Sequence, residues 1–141
     1  MRGMNGARSG VLLSVVLLLG CRDVVPEQHF RGAYTEGFEV SEFIPCDGGR
    51  DAWLYDEEGQ LRAAESLIAR QRSQRVRAYP RIYVDFYGVD EGKCKEGFPA
   101  DYDRVIRVTR LNMARESLPS ECVIPPESWC GYWTSLITKW F

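Results

Sequence analysis

Five cysteines and a single histidine carry most of the reactive chemistry in this chain. The first thiol, Cys21, closes Leu18-Leu19-Gly20-Cys21 at the end of an apolar run that begins at Val11. Ahead of that run lies a short head with Arg2 and Arg8 and no acid. A basic head, an apolar stretch of roughly 7–15 residues and small residues at its end make a secretory signal. The run is shorter than the about 20 apolar residues needed to span a bilayer. Its thiol would sit at the membrane interface, where a nucleophilic thiolate can be alkylated. The remaining thiols, Cys46, Cys94, Cys122 and Cys130, are even in number and belong to the oxidising side of a membrane. Sequence leaves three connectivities open. Cys46 and Cys122 each follow a strand-like segment, which favours Cys46–Cys122 and leaves Cys94 to pair with Cys130. No Cys-x-x-Cys occurs, and His29 falls in a polar stretch, so neither a metal nor another cofactor is expected.

Catalytic constellations are hard to assemble from what is left. A nucleophile needs a base within reach, and a lone histidine in a tether serves poorly. Gly-x-Ser-x-Gly and His-Glu-x-x-His are both absent. Two acids at a cleft suit glycoside chemistry, and Asp85 with Glu39 or Asp103 is the available set. Asp85 is better read as the partner of an arginine on a neighbouring strand, such as Arg107. Asp47-Gly48-Gly49 and Asp90-Glu91-Gly92 lack the alternating oxygen ligands of a calcium loop and read as turns. The chain is therefore expected not to be an enzyme. Aromatic residues offer recognition instead. Trp53, Tyr55, Tyr83 and Tyr87, with Asp85, are expected to line one barrel face that either stacks an extended ligand or caps the barrel.

The elements that must position these residues begin after a polar, aperiodic tether, Arg22–Arg31. From Gly32 to Cys46, Phe38 and Val40 share a strand phase and Phe43 falls on the other. The segment is thus either one long strand bent at Gly37 or two strands broken there. Ala52–Tyr55 is a short strand. Leu61–Gln74 carries Leu61, Ala64, Leu67, Ile68 and Gln71 on one stripe, the mark of an amphipathic helix. The arginines crowding its end read as a solvated face favoured by the helix dipole. Arg81–Gly88 alternates Ile82, Val84 and Phe86 against Tyr83, Asp85 and Tyr87. Arg104–Met113 puts Leu111 and Met113 out of phase with Ile106 and Val108, which predicts a bulge near Thr109 or Arg110. Val123-Ile124 is expected to add a last short strand. The tail, 125–141, is dense in aromatic residues. It either packs on the barrel through Cys130 or meets a membrane interface or partner.

Leu18-Leu19-Gly20-Cys21 resembles the lipobox of bacterial lipoproteins, which implies lipidation of Cys21 and removal of residues 1–20. Arg22, by resemblance to lipoprotein sorting, implies the outer membrane, facing the periplasm. The segment Gly32-x-Tyr34-x-x-Gly37-Phe38-Glu39-x-Ser41-x-Phe43-x-Pro45-Cys46, followed by Asp51-x-Trp53-Leu54, a helix and Ile82-Tyr83-Val84, carries a second likeness. It is similar to the C-terminal OB-like domain of the NlpE family of envelope lipoproteins. The resemblance covers about residues 32–122 and implies a fold and a compartment. Copper handling does not carry over, because that family's Cys-x-x-Cys lies in a domain absent from this sequence. The helix here follows the second strand unless the first segment is two strands, whereas the OB order places it after the third.

Taking Arg2 and Arg8 from the 18 basic residues leaves 16 against 20 acids, a net charge near −4. That balance argues against nucleic acid as partner. A 45% hydrophobic and 12% aromatic composition argues against disorder. The expectation is a mainly β protein: a small OB-like antiparallel barrel with one α-helix, stabilised by disulfides. It comprises a signal peptide (1–20), lipidated Cys21 and tether (21–31), a barrel (32–124) and a tail (125–141). A monomer is expected, held to the membrane through its N-terminal lipid. Its function is expected to be non-catalytic: an interaction or sensing module of the cell envelope, or a small-ligand or glycan-binding domain.

Overall fold

The computed structural model describes residues 24–75 and 77–124. The expected signal segment, Cys21, Cys130 and the aromatic tail lie outside the described residues. Among the described residues no helix is long and apolar enough to cross a membrane.

Five strands close into a barrel: β1 (Gln28–Gly37), β2 (Val40–Pro45), β3 (Ala52–Tyr55), β4 (Ile82–Gly92) and β5 (Arg104–Arg115). Helix α1 (Arg62–Ser73) lies between β3 and β4. Around the barrel the order is β1-β2-β3-β5-β4, with β4 returning to β1. Only β3 and β5 run parallel. This is an OB-like arrangement. The helix follows the third strand because the first segment is two strands: Phe38 and Glu39 form a two-residue turn, and Gly37 pairs with Val40. The phase change between Val40 and Phe43 therefore marks a reversal of the chain.

Two boundaries move. Strand β1 begins at Gln28, so His29, Phe30 and Arg31 belong to the barrel and the tether ends earlier than residue 31. Phe30 is the reason: it is buried, stacks on Phe86 with centroids 5.3 Å apart, and meets Phe43 edge-on at 6.3 Å. Strand β4 runs on to Gly92, four residues past the Gly88 that closes the alternating segment in the sequence. Val123-Ile124 forms no strand, and Val123 is largely exposed.

The core is the inward phase of each strand: Tyr34, Phe43, Leu54, Ile82, Val84, Phe86, Ile106 and Val108 are buried. From α1, Ala64 and Ile68 join it, with Leu61 just ahead. At about 25 cal/mol per Å2, each large apolar side chain there contributes roughly 2 kcal/mol. Gly32 is required by close packing. A Cβ at that position would stand 2.2 Å from the Ile44 carbonyl oxygen and 2.6 Å from the Phe43 ring.

Strand β5 is bulged where its phase breaks. Tyr87 pairs with Arg110 and Gly88 with Val108, leaving Thr109 as an extra residue. A second shift, between Asp85–Met113 and Phe86–Leu111, skips Asn112. Two bulges bring both Leu111 and Ala114 against the core and leave Met113 half exposed. The Cys46–Cys122 disulfide ties the end of β2 to the segment after β5 across 76 residues. Cys94 has no disulfide among the described residues, and its thiol donates to the Glu96 carbonyl (3.3 Å).

Candidate functional site

The residues expected to form one aromatic face are divided by the topology. Trp53 and Tyr55 lie on β3, while Tyr83, Asp85 and Tyr87 lie on β4, and β5 separates these strands. Each group has its own surroundings.

On β4 the outward groups are already engaged. Tyr83 is 6% exposed, with the Arg115 guanidinium 5.0 Å from its ring centre. Tyr87 stacks on His29 from β1 (4.9 Å, 24° between planes) and receives Arg110 from β5 at 4.4 Å. Asp85 accepts from Asn112 Nδ2 (2.9 Å) and meets His29 Nε2 at 2.8 Å. Burial pushes the Asp85 carboxyl up, but the His29 and Asn112 hydrogen bonds and the charges of His29 and Arg31 outweigh it and hold the group below its ordinary value. Asp85 is thus a cross-strand partner, though of His29 and Asn112. Arg107 instead donates to Glu91 (3.0 Å). Chemically the His29–Asp85 pair resembles half a triad. Among the described residues no hydroxyl or thiol bonds to the imidazole. These side chains staple β1, β4 and β5 together from outside.

The open concavity lies at the other end of β1. A groove of about 580 Å3 runs between the β1–β2 turn, the exit of β3 and the first turn of α1. Its aromatic walls are Phe38 from the turn, Trp53 and Tyr55 from β3, and Phe98 from the 3-10 turn Phe98–Asp101 in the β4–β5 connection. Trp53 is braced edge-on by Tyr102 at 5.5 Å. Tyr55 donates to Glu91 (2.7 Å); burial, that bond and the Glu91 charge push its hydroxyl up to about 12. Phe38 is 84% exposed and Phe98 48%, so two rings of this wall face solvent together. Glu39 beside Phe38 has φ 61°, a left-handed conformation in which non-glycine residues store strain.

Four carboxylates line the same groove: Glu36, Glu39, Asp56 and Glu65. Asp56 also accepts from the Leu61 amide (3.0 Å), fixing the approach to α1. Glu65 is raised above its ordinary value by burial first, then by the charges of Glu36 and Asp56, with Arg62 only partly opposing. At the floor Tyr34 is buried, which lifts its hydroxyl well above the tyrosine range. That hydroxyl points to Ser41 Oγ (3.4 Å), and Ser41 donates to the Leu54 carbonyl (2.6 Å). The β2–β3 ladder pairs only Glu42 with Trp53 and Phe43 with Ala52. Val40 and Ser41 of β2 and Leu54 and Tyr55 of β3, beyond the end of that ladder, line the groove.

No family model, curated protein or solved structure matches this chain. The site is therefore read from its own chemistry. The β2–β3 face with the loops after β1 and β4 is where OB barrels commonly bind extended ligands. Trp53 and Tyr55 were visible in the sequence as candidates. Phe38, Phe98 and the carboxylates were missed. The run Glu36-Gly37-Phe38-Glu39, an aromatic set between acids beside a glycine, was the signal for them.

Proposed function

We propose that this chain is a lipid-anchored, non-catalytic binding module of the cell envelope, and that its recognition surface is the groove between the β1–β2 turn and the start of α1. The observation that carries this reading is Phe38, an aromatic side chain held exposed on a strained turn at the mouth of that groove. Phe98, itself half exposed, lines the same groove, so the apolar surface there is a shared patch of the kind that marks contact sites. The lipobox-like Leu18–Cys21 supports attachment to a membrane leaflet, with residues 22–27 as a leash. The likeness to NlpE-type domains supports an envelope sensing or interaction role on the periplasmic side of the outer membrane. The engaged Tyr83–Tyr87 face favours the turn groove over β4 as the place of contact.

The test is capture from intact expressing cells after crosslinking. Phe38→Ala with Trp53→Ala is expected to abolish recovery of the partner, while Tyr87→Ala leaves it unchanged. The reverse pattern overturns the assignment. The anchor is checked separately: mass spectrometry is expected to find a triacylated Cys21 at the N-terminus, and an unprocessed Met1 contradicts it.

A further inference from the structure

Resting on that reading of the groove, we infer that its occupant is an extended peptide segment of a partner protein that presents lysine or arginine side chains. Glu36, Glu39, Asp56 and Glu65 converge on the groove, and its lining contains no lysine, arginine or histidine. Among the described residues none of the four forms an ion pair. Arg62, outside the lining, opposes only part of the charge at Glu65, so the gathered carboxylates still repel one another. A bound cation relieves that repulsion.

The spacing decides what kind of cation. Among the described residues no three acids, cysteines or histidines are close enough to hold a metal ion. The acids alternate with aromatic rings instead: Phe38 lies between Glu36 and Glu39, and Trp53 and Tyr55 lead into Asp56. An ammonium or guanidinium on an apolar stem satisfies both, through ion pairing at its head and ring contact along its stem. The main chain favours a peptide over a free amine. The β2–β3 ladder ends at Glu42–Trp53, and beyond it Val40, Ser41, Leu54 and Tyr55 line the groove beside the acids, with the Ser41 hydroxyl on the Leu54 carbonyl. An extended peptide can bond to strand ends of this kind while its side chains enter alternate pockets.

Fluorescence anisotropy on the full chain in detergent micelles tests this, using labelled peptides of equal length made of Lys/Ser, Gln/Ser or Glu/Ser. The Lys/Ser peptide is expected to bind, and at least tenfold more tightly than the other two. Glu36→Gln with Glu65→Gln is expected to weaken Lys/Ser binding about tenfold. Charge reversal at the turn, Glu39→Lys, tests the same point at a site with no packing role. Equal affinity for all three peptides, with loss of every one in Trp53→Ala, overturns the cationic specificity and leaves the groove standing. Binding of every peptide unaffected by Trp53→Ala overturns the groove itself. Free spermine that displaces the Lys/Ser peptide at equal charge concentration identifies a small polyamine as occupant and overturns the peptide.

Discussion

Replacing Asp85 by Asn removes the negative charge from the oxygen shared by His29 and Asn112 and is expected to destabilise the barrel by about 1 kcal/mol at neutral pH, a partly exposed, charge-assisted interaction. The sign of its pH dependence follows from the direction of the shift. The folded carboxyl lies below its ordinary 3.8, so the stabilisation is complete above that value and is lost as pH falls through the folded pKa. Denaturant melts of both proteins at pH 7 and pH 2 check it: the difference is expected to shrink at the lower pH. Glu65 behaves oppositely. Its folded carboxyl lies above 4.5, so it costs stability once pH rises past that range, and Glu65→Gln is expected to stabilise the protein at pH 7 and not at pH 4. That a binding residue is held at a cost to folding is consistent with a site kept open for a ligand. Neither environment was legible in the sequence. His29 stands in a stretch without period, and only the pull of Phe30 into the core makes it part of a strand.

Among the elements, α1 ends without its usual terminator. Arg75 occupies the left-handed position after the helix (φ 55°), where glycine carries no Cβ penalty. Arg75→Gly is expected to raise stability by about 0.5–1 kcal/mol, read as a shift in urea midpoint without change in slope. The neighbouring arginines are structural: Arg70 bonds Glu116, and Arg72 reaches the carbonyls of Ala78 and Glu36, fastening the helix end to the residue after β5 and to β1. The amphipathic stripe of α1, the alternation of β4 and the bulge near Thr109 could all be read in advance, because each is a local period or its interruption. The β1–β2 turn was ambiguous. Phe38-Glu39 lacks the Asn-Gly signature of two-residue hairpins, so the same phase break fitted a bent strand. The second bulge, at Asn112, left no trace that Leu111 and Met113 could show alone.

For the molecule as a whole, the Cys46–Cys122 bridge closes a loop of 76 residues that spans most of the barrel. Cys46→Ala with Cys122→Ala is expected to cost about 4 kcal/mol in the chain-entropy account, or a fall in melting temperature of roughly 15–30 °C for a barrel of this size. The pairing was readable only in part: Cys46 directly follows β2, whereas Cys122 lies seven residues beyond the end of β5. The groove was not readable: its acids come from β1, the turn, the end of β3 and α1, and only the closed barrel gathers them.

Amide chemical-shift mapping of the isotope-labelled chain titrated with the Lys/Ser peptide tests the central claim most directly. Perturbations are expected to gather at Glu36–Ser41, Trp53–Asp56 and Glu65. A map centred on Tyr83, Asp85 and Tyr87 contradicts the account.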